Sequence, residues 1–162
     1  MVAADALRDR ALAVLSEIAD PEIPVLTIVD LGILRDVAVH GERVEVCITP
    51  TYSGCPAMNL IALEIETALA RAGIDARVRT VLSPAWTTDW LTDAGRRKLA
   101  AFGIAPPART SSRRALFGEA DPACPLCGSA DTEQISEFGS TACKSLHRCR
   151  TCREPFDAFK CH

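Results

Sequence analysis

A chain of 162 residues with 48% apolar content has enough material for a buried core and is not a disordered polypeptide. Its formal net charge of −3 gives no overall electrostatic attraction to nucleic acid or to an anionic membrane surface. No apolar run approaches the length of a membrane-spanning helix, and MVAADALRDRALAV lacks the basic and apolar regions of an export signal, so a cytoplasmic location is expected.

From Ala4 to Ala19, residues Leu7, Ala11, Val14, Leu15 and Ile18 recur at helical spacing. The helix is stopped by DPEIP, where Pro21 and Pro24 each remove a backbone donor and restrict the preceding residue. Next, ILRDVAV and RVEVCIT flank HGE and predict two antiparallel strands joined by a tight turn. Val44, Val46 and Ile48 alternate with Glu45, Cys47 and Thr49, which puts Cys47 on the face opposite the apolar row. Pro56 to Ala72 predicts a second helix with Ala57, Ile61, Ile65 and Ala68 on one stripe and Gly73 at its stop. DARVRTVL is a third strand, parallel to the second through the helical crossover. A third helix over TTDWLTDAGRRKLAAFGI completes an α-β-β-α-β-α domain over residues 1–104. Residues 105–117, rich in Pro, Ser and Arg, read as a linker to a cysteine-rich module at 118–162.

Of eight cysteines, six (Cys124, Cys127, Cys143, Cys149, Cys152 and Cys161) lie in that module. Disulfides do not persist in a reducing compartment, so the clustering favours metal. CPLC and CRTC are two Cys-x-x-Cys knuckles separated by 21 residues, close to the four-cysteine zinc template. Cys124, Cys127, Cys149 and Cys152 would then form a closed structural zinc site. A module this small buries little apolar surface, whereas four-cysteine zinc can supply an apparent ~10–16 kcal/mol. Iron or an iron–sulfur cluster is the rival, because thiolates accept either. Cys143 is expected to pack as a small hydrophobe and His147 to sit solvated beside Arg148; Cys161 with His162 offers the alternative of a second, labile metal site. Acids outnumber bases from residue 115 onward, which favours protein contact over nucleic acid.

In TYSGCPAMNLI, Pro56 suits the first helical position and makes Cys55 the expected N-cap. A thiolate there would face unpaired N–H groups, with a pKa lowered toward ~7. Thr51, Tyr52 and Ser53 supply hydroxyls nearby. The arrangement suits a thiol presented for reaction or metal binding; the alternative is a small residue filling a crowded turn. No histidine is near in sequence, since His40 lies across the hairpin, which weakens a protease-like mechanism. Asp20, Glu22 and Asp30 sit in the proline-bracketed loop, where Asp20 and Asp30 are expected to cap turns through their own backbone.

DPEIPVLTIVDLGIL, followed by a hairpin and TPTYSGCPAMNLI, resembles the MIP18 family, also called the domain-of-unknown-function-59 family. The likeness covers about residues 5–104, and that family's association with iron–sulfur protein assembly implies a functional role for the matching Cys55. With the tail CPLCGSADTEQISEFGSTACKSLHRCRTCREPFDAFKCH added, the chain resembles the D components of bacterial phenylacetyl-CoA epoxidase systems of phenylacetate degradation, with a di-iron oxygenase and an iron–sulfur flavin reductase. The chain itself has neither a Glu-x-x-His pair for two irons nor a dinucleotide-binding glycine loop. The resemblance therefore implies an accessory protein. Cys55, with Asp20, Glu22 and Thr51, would transiently hold iron or an iron–sulfur unit, while the zinc module docks onto an oxygenase or reductase component. A stoichiometric subunit needed during turnover is the alternative, and a thiol-dependent enzyme is a third reading. A homodimer is one further option.

Overall fold

The computed structural model describes residues 2–109 and 121–160. The chain divides into two compact units, Met1–Trp86 and Thr87–His162.

The first unit opens with helix α1 (Val2–Leu15), which buries Ala11 and Leu15 completely. Strand β1 (Leu34–His40) pairs antiparallel with β2 (Arg43–Ile48), and β2 pairs in parallel with β3 (Asp75–Thr80), giving the sheet order β1-β2-β3. Gly41 takes φ 66° in the turn between β1 and β2, a backbone conformation that a side chain would oppose. Helix α2 (Ala57–Arg71) makes the crossover between the parallel strands and buries Ala57, Met58, Ile61, Ile65 and Leu69. It ends as a Schellman motif: Ile74 N–H donates to Leu69 O at 2.9 Å, Gly73 N–H donates to Ala70 O at 3.0 Å, and Gly73 has φ 71°. One sheet face carries Val44, Val46 and Ile48, all fully buried.

The long connection from α1 to β1 is more than a turn. Ile23, Leu26, Ile28, Leu31 and Ile33 are all among the most deeply buried side chains of the molecule. A carboxylate pins each bend. Asp20 Oδ1 accepts from the amides of Glu22 at 2.8 Å and Ile23 at 2.9 Å. Thr27 and Asp30 cap reciprocally, with Thr27 N–H donating to Asp30 Oδ2 at 3.0 Å and Asp30 N–H to Thr27 Oγ1 at 3.1 Å. Asp20 and Asp30 therefore do cap turns, and the bends they fix deliver five branched side chains to the core.

The second unit begins with a 3-10 turn at Thr88–Trp90 and helix α3 (Asp93–Ala101), whose N-cap Thr92 accepts from Gly95 N–H at 2.9 Å. Four strands follow: β4 (Ile104–Ala105), β5 (Thr132–Ser136), β6 (Lys144–Cys149) and β7 (Pro155–Phe159). Their order is β4-β7-β6-β5, with β4 parallel to β7 and the other pairs antiparallel. The expected boundary near residue 104 is thus displaced. Ile104 and Ala105 pair with Asp157 and Ala158, which ties the chain after α3 to the ribbon. Helix α3 falls in the second unit, leaving α-β-β-α-β in the first. Linker residues 110–117 lie outside the described residues.

Candidate metal centre and helix-start thiol

Four sulfurs converge in the second unit. The Sγ atoms of Cys124, Cys127, Cys149 and Cys152 all lie within 4.8 Å of one another. Cys124 and Cys152 are 3.8 Å apart, and Cys127 and Cys149 are 3.6 Å apart. Tetrahedral thiolates at a metal–sulfur distance of about 2.3 Å would sit about 3.8 Å from one another, so these residues fit a metal held by four cysteines. Among the described residues no other set of three or more His, Cys, Asp or Glu side chains comes within ligating distance.

The two knuckles are built alike. Cys124 N–H donates to Ser129 O at 2.9 Å, and Cys149 N–H donates to Glu154 O at 3.0 Å, five residues onward in each case. The residue after each second cysteine has a left-handed backbone: Gly128 at φ 75° and Arg153 at φ 66°. Glycine adopts this freely, whereas for arginine it costs roughly 1–2 kcal/mol. A hydrogen bond of 2.8 Å between Ser129 Oγ and Thr151 Oγ1 joins one knuckle to the other.

The thiols are electrostatically unequal. The Cys152 amide, then the neighbouring thiols, hold Cys149 down to about 6 against the opposing effect of burial. The Glu154 amide favours a Cys152 thiolate, yet burial and the three other thiols together push Cys152 up to about 12. A cation bound by all four must expel the remaining protons, so affinity falls as pH falls. Four thiolates would fill a tetrahedral shell and leave no position for substrate, which is the ligand pattern of structural sites.

Around this site the sequence expectations divide. Cys143 is buried, as expected of a small hydrophobe. His147, expected to be solvated, is only 3% exposed: its ring stacks on Phe156 at 5.6 Å and its Nε2 lies 2.9 Å from Ser145 Oγ. The missed signal is strand alternation, which places His147 on the same face as Cys149 two residues later. Cys161 and His162 lie outside the described residues. The guanidinium groups of Arg148 and Arg150 both bind Glu133, Arg150 at 3.0 Å, and with Arg148 first they hold its carboxyl below the usual carboxylate range.

Cys55 stands in the first unit. Pro56, not Cys55, is the N-cap of α2, and Cys55 precedes it by one residue. The displacement does not remove the amide from reach, because Ala57 N–H still hydrogen-bonds to the Cys55 sulfur. The expected lowering of its pKa does not follow. Burial is the largest influence and raises the thiol above its ordinary value; Glu22 and Asp20 raise it further, and these outweigh the Ala57 amide and a hydrogen bond from Tyr52. Half-buried Cys55 is therefore protonated at neutral pH. The fold does bring Glu22 and Asp20 into electrostatic range of this sulfur across more than thirty residues of sequence, and Tyr52 supplies the neighbouring hydroxyl. Thr51 is buried. Cys47 is buried too, under Arg79, whose Nη2 lies 3.6 Å from its sulfur on the sheet face opposite Val46. His40 ends β1 and is exposed.

Two family models match: "Iron-sulfur cluster assembly protein" over residues 8–82 and "PaaD zinc beta ribbon domain" over residues 108–160. A protein of Escherichia coli (strain K12), named as a subunit of 1,2-phenylacetyl-CoA epoxidase, is 53% identical, covering 92% of this chain and 90% of that protein. The chain belongs to the PaaD family. A Bacillus subtilis (strain 168) Fe-S protein maturation auxiliary factor, YitW, is 34% identical over 52% of this chain and 85% of its own length. A crystal structure of a domain of unknown function, DUF59, from Bacillus anthracis shares the fold, with TM-score 0.57, 24% identity, and coverage of 60% of this chain and 95% of that one.

This PaaD-family chain is therefore a DUF59-like α/β unit joined to a zinc-ribbon-like unit. Its two sulfur sites differ in kind. The quartet would saturate an ion with its own four sulfurs, whereas Cys55 offers one sulfur in the field of two carboxylates. Among the described residues no helix is long and apolar enough to cross a membrane.

Proposed function

We propose that this protein is a non-catalytic accessory component of a multicomponent phenylacetyl-CoA epoxidase, assisting assembly of the iron–sulfur or di-iron centres of its partner components. Cys55 would receive iron or an iron–sulfur unit as cargo, and zinc in the Cys124, Cys127, Cys149 and Cys152 site would hold the ribbon in shape. The observation that carries this reading is the half-buried Cys55 thiol in the field of Glu22 and Asp20. Carboxylates that disfavour a bare thiolate favour a cation bound to it, so the site would bind metal by exchanging a proton for it. The epoxidase named for the Escherichia coli relative and the maturation role in the name of YitW support the two halves of the proposal. Helix α2 leaves Leu60 and Leu63 exposed beyond Cys55, a surface suited to a protein partner.

Co-expression of the epoxidase components with Cys55→Ser tests it. Metal content of the partner components should fall several-fold while their amounts stay unchanged; normal loading and full activity would reject the role. A second reading, favoured by the naming of the Escherichia coli relative as a subunit, is a stoichiometric part of the working complex. It predicts that purified, fully metal-loaded oxygenase and reductase still require this chain, whereas the assembly role predicts that they do not.

A further inference from the structure

The four ligand sulfurs are unequally shielded. Cys149 is fully buried, Cys124 is 2% exposed and Cys152 is half-buried, whereas Cys127 lies open to solvent. Neither neighbour in sequence shields it: Leu126 before it is itself exposed and Gly128 after it has no side chain. Of the four cysteines, Cys127 is the exposed one, so a solute arriving from water meets it first. The sulfur facing Cys127 belongs to the other knuckle, Cys149 Sγ at 3.6 Å, and Cys124 faces Cys152 at 3.8 Å in the same crossed manner.

We propose that Cys127 is a peroxide-sensitive modification site whose oxidation links it to Cys149 and releases the metal. This inference rests on the reading of the quartet as a zinc site and is independent of the role of Cys55. The Cys127 thiolate attacks one oxygen of hydrogen peroxide, the O–O bond breaks, and a sulfenic acid forms as hydroxide leaves and is protonated to water. The Cys149 thiolate then attacks the Cys127 sulfur, the S–O bond breaks, and a second hydroxide leaves as water while the S–S bond forms. Two thiolates lose two electrons in total, and one peroxide, with two protons, becomes two waters. The sulfurs need to close from 3.6 Å to about 2.05 Å, a movement within reach of side-chain rotation and small knuckle shifts. Only Cys124 and Cys152 then remain as thiolates, too few to retain zinc. Among the described residues, the cysteines outside the quartet are poorer targets: Cys47 and Cys143 are buried, and Cys55 is half-buried.

Purified full-length protein, first assayed for one zinc per chain, is treated with stoichiometric hydrogen peroxide in the presence of a chromogenic zinc chelator. It is then mapped by non-reducing mass spectrometry with fragmentation between Cys124 and Cys127. One zinc should be released per disulfide formed, the first linkage should be Cys127–Cys149, and dithiothreitol with added zinc should restore the starting state. Linkage within a knuckle, as Cys124–Cys127 or Cys149–Cys152, or oxidation of Cys55 or Cys143 ahead of the quartet, would overturn the proposal. Absence of zinc in the untreated protein would instead overturn the metal reading on which it rests.

Discussion

The two units of this protein bury different kinds of side chain. The first is organised by branched side chains, with Leu15, Leu26, Ile28, Ile48, Ile61, Ile65 and Leu69 all removed from water. The second gathers a smaller cluster, Ala105, Cys124, Cys149, Phe156 and Ala158 with Cys152 packed against it, so two of its central members belong to the cysteine quartet. Burying a large aliphatic side chain contributes about 1.5–3 kcal/mol, and the first unit can sum many of these. The second unit buries fewer large apolar side chains, among them Leu91, Leu99, Phe156 and Phe159, and zinc in the quartet would add a large term of its own. The difference predicts one unit that folds on its own side chains and one whose folding depends on metal.

The comparison is broken most directly by stripping the metal. Treating the full chain with a strong chelator at neutral pH should remove most of the apparent ~10–16 kcal/mol that thiolate-bound zinc contributes. Amide protection should be lost across Thr132–Phe159 while β1, β2 and α2 keep theirs. Hydrogen exchange read residue by residue would show this, and simultaneous loss in both units would contradict it.

A core substitution should do the reverse. Leu26→Ala removes a side chain that is 0% exposed and should destabilise the first unit by about 2–5 kcal/mol. Metal content, measured on the same preparation, should be unchanged. An effect confined to less than about 1 kcal/mol would show that the connection from α1 to β1 is peripheral to the core.

The smallest effect sharpens the contrast between the two kinds of sulfur. Because burial first, and then Glu22 and Asp20, raise the Cys55 pKa, the thiolate is scarce at neutral pH and appears only as pH climbs past the ordinary cysteine range. Alkylation of Cys55, followed by peptide mass spectrometry, should therefore be slower at pH 7 than that of an unstructured cysteine and should accelerate with pH. Glu22→Gln removes one raising influence and should speed the reaction a few-fold. The sign for stability is also fixed: a raised folded pKa contributes stability below the unfolded value, and this is lost as pH rises through the folded one.

Much of this was legible in the sequence, and the failures have identifiable causes. Helix α2, the β1–β2 hairpin and the parallel placement of β3 follow from apolar spacing and from Gly41 and Gly73. The quartet follows from two Cys-x-x-Cys knuckles. Strand β4 does not, because two residues within GIAPP carry no period and their partners lie some fifty residues onward. The core role of Ile23 to Ile33 was hidden for a related reason: its positions are set by the Asp20 and Thr27–Asp30 caps rather than by a repeat. The protonated state of Cys55 depends on burial and on carboxylates distant in sequence, neither of which helix-start geometry reveals.

Arg153 carries the left-handed turn that glycine carries in the matching knuckle. An ion clamped by four sulfurs would help hold that unfavourable torsion; without it, the Cys149–Glu154 backbone hydrogen bond is left to oppose the strain. The ribbon should accordingly unravel from its C-terminal knuckle first, giving demetallation a built-in direction.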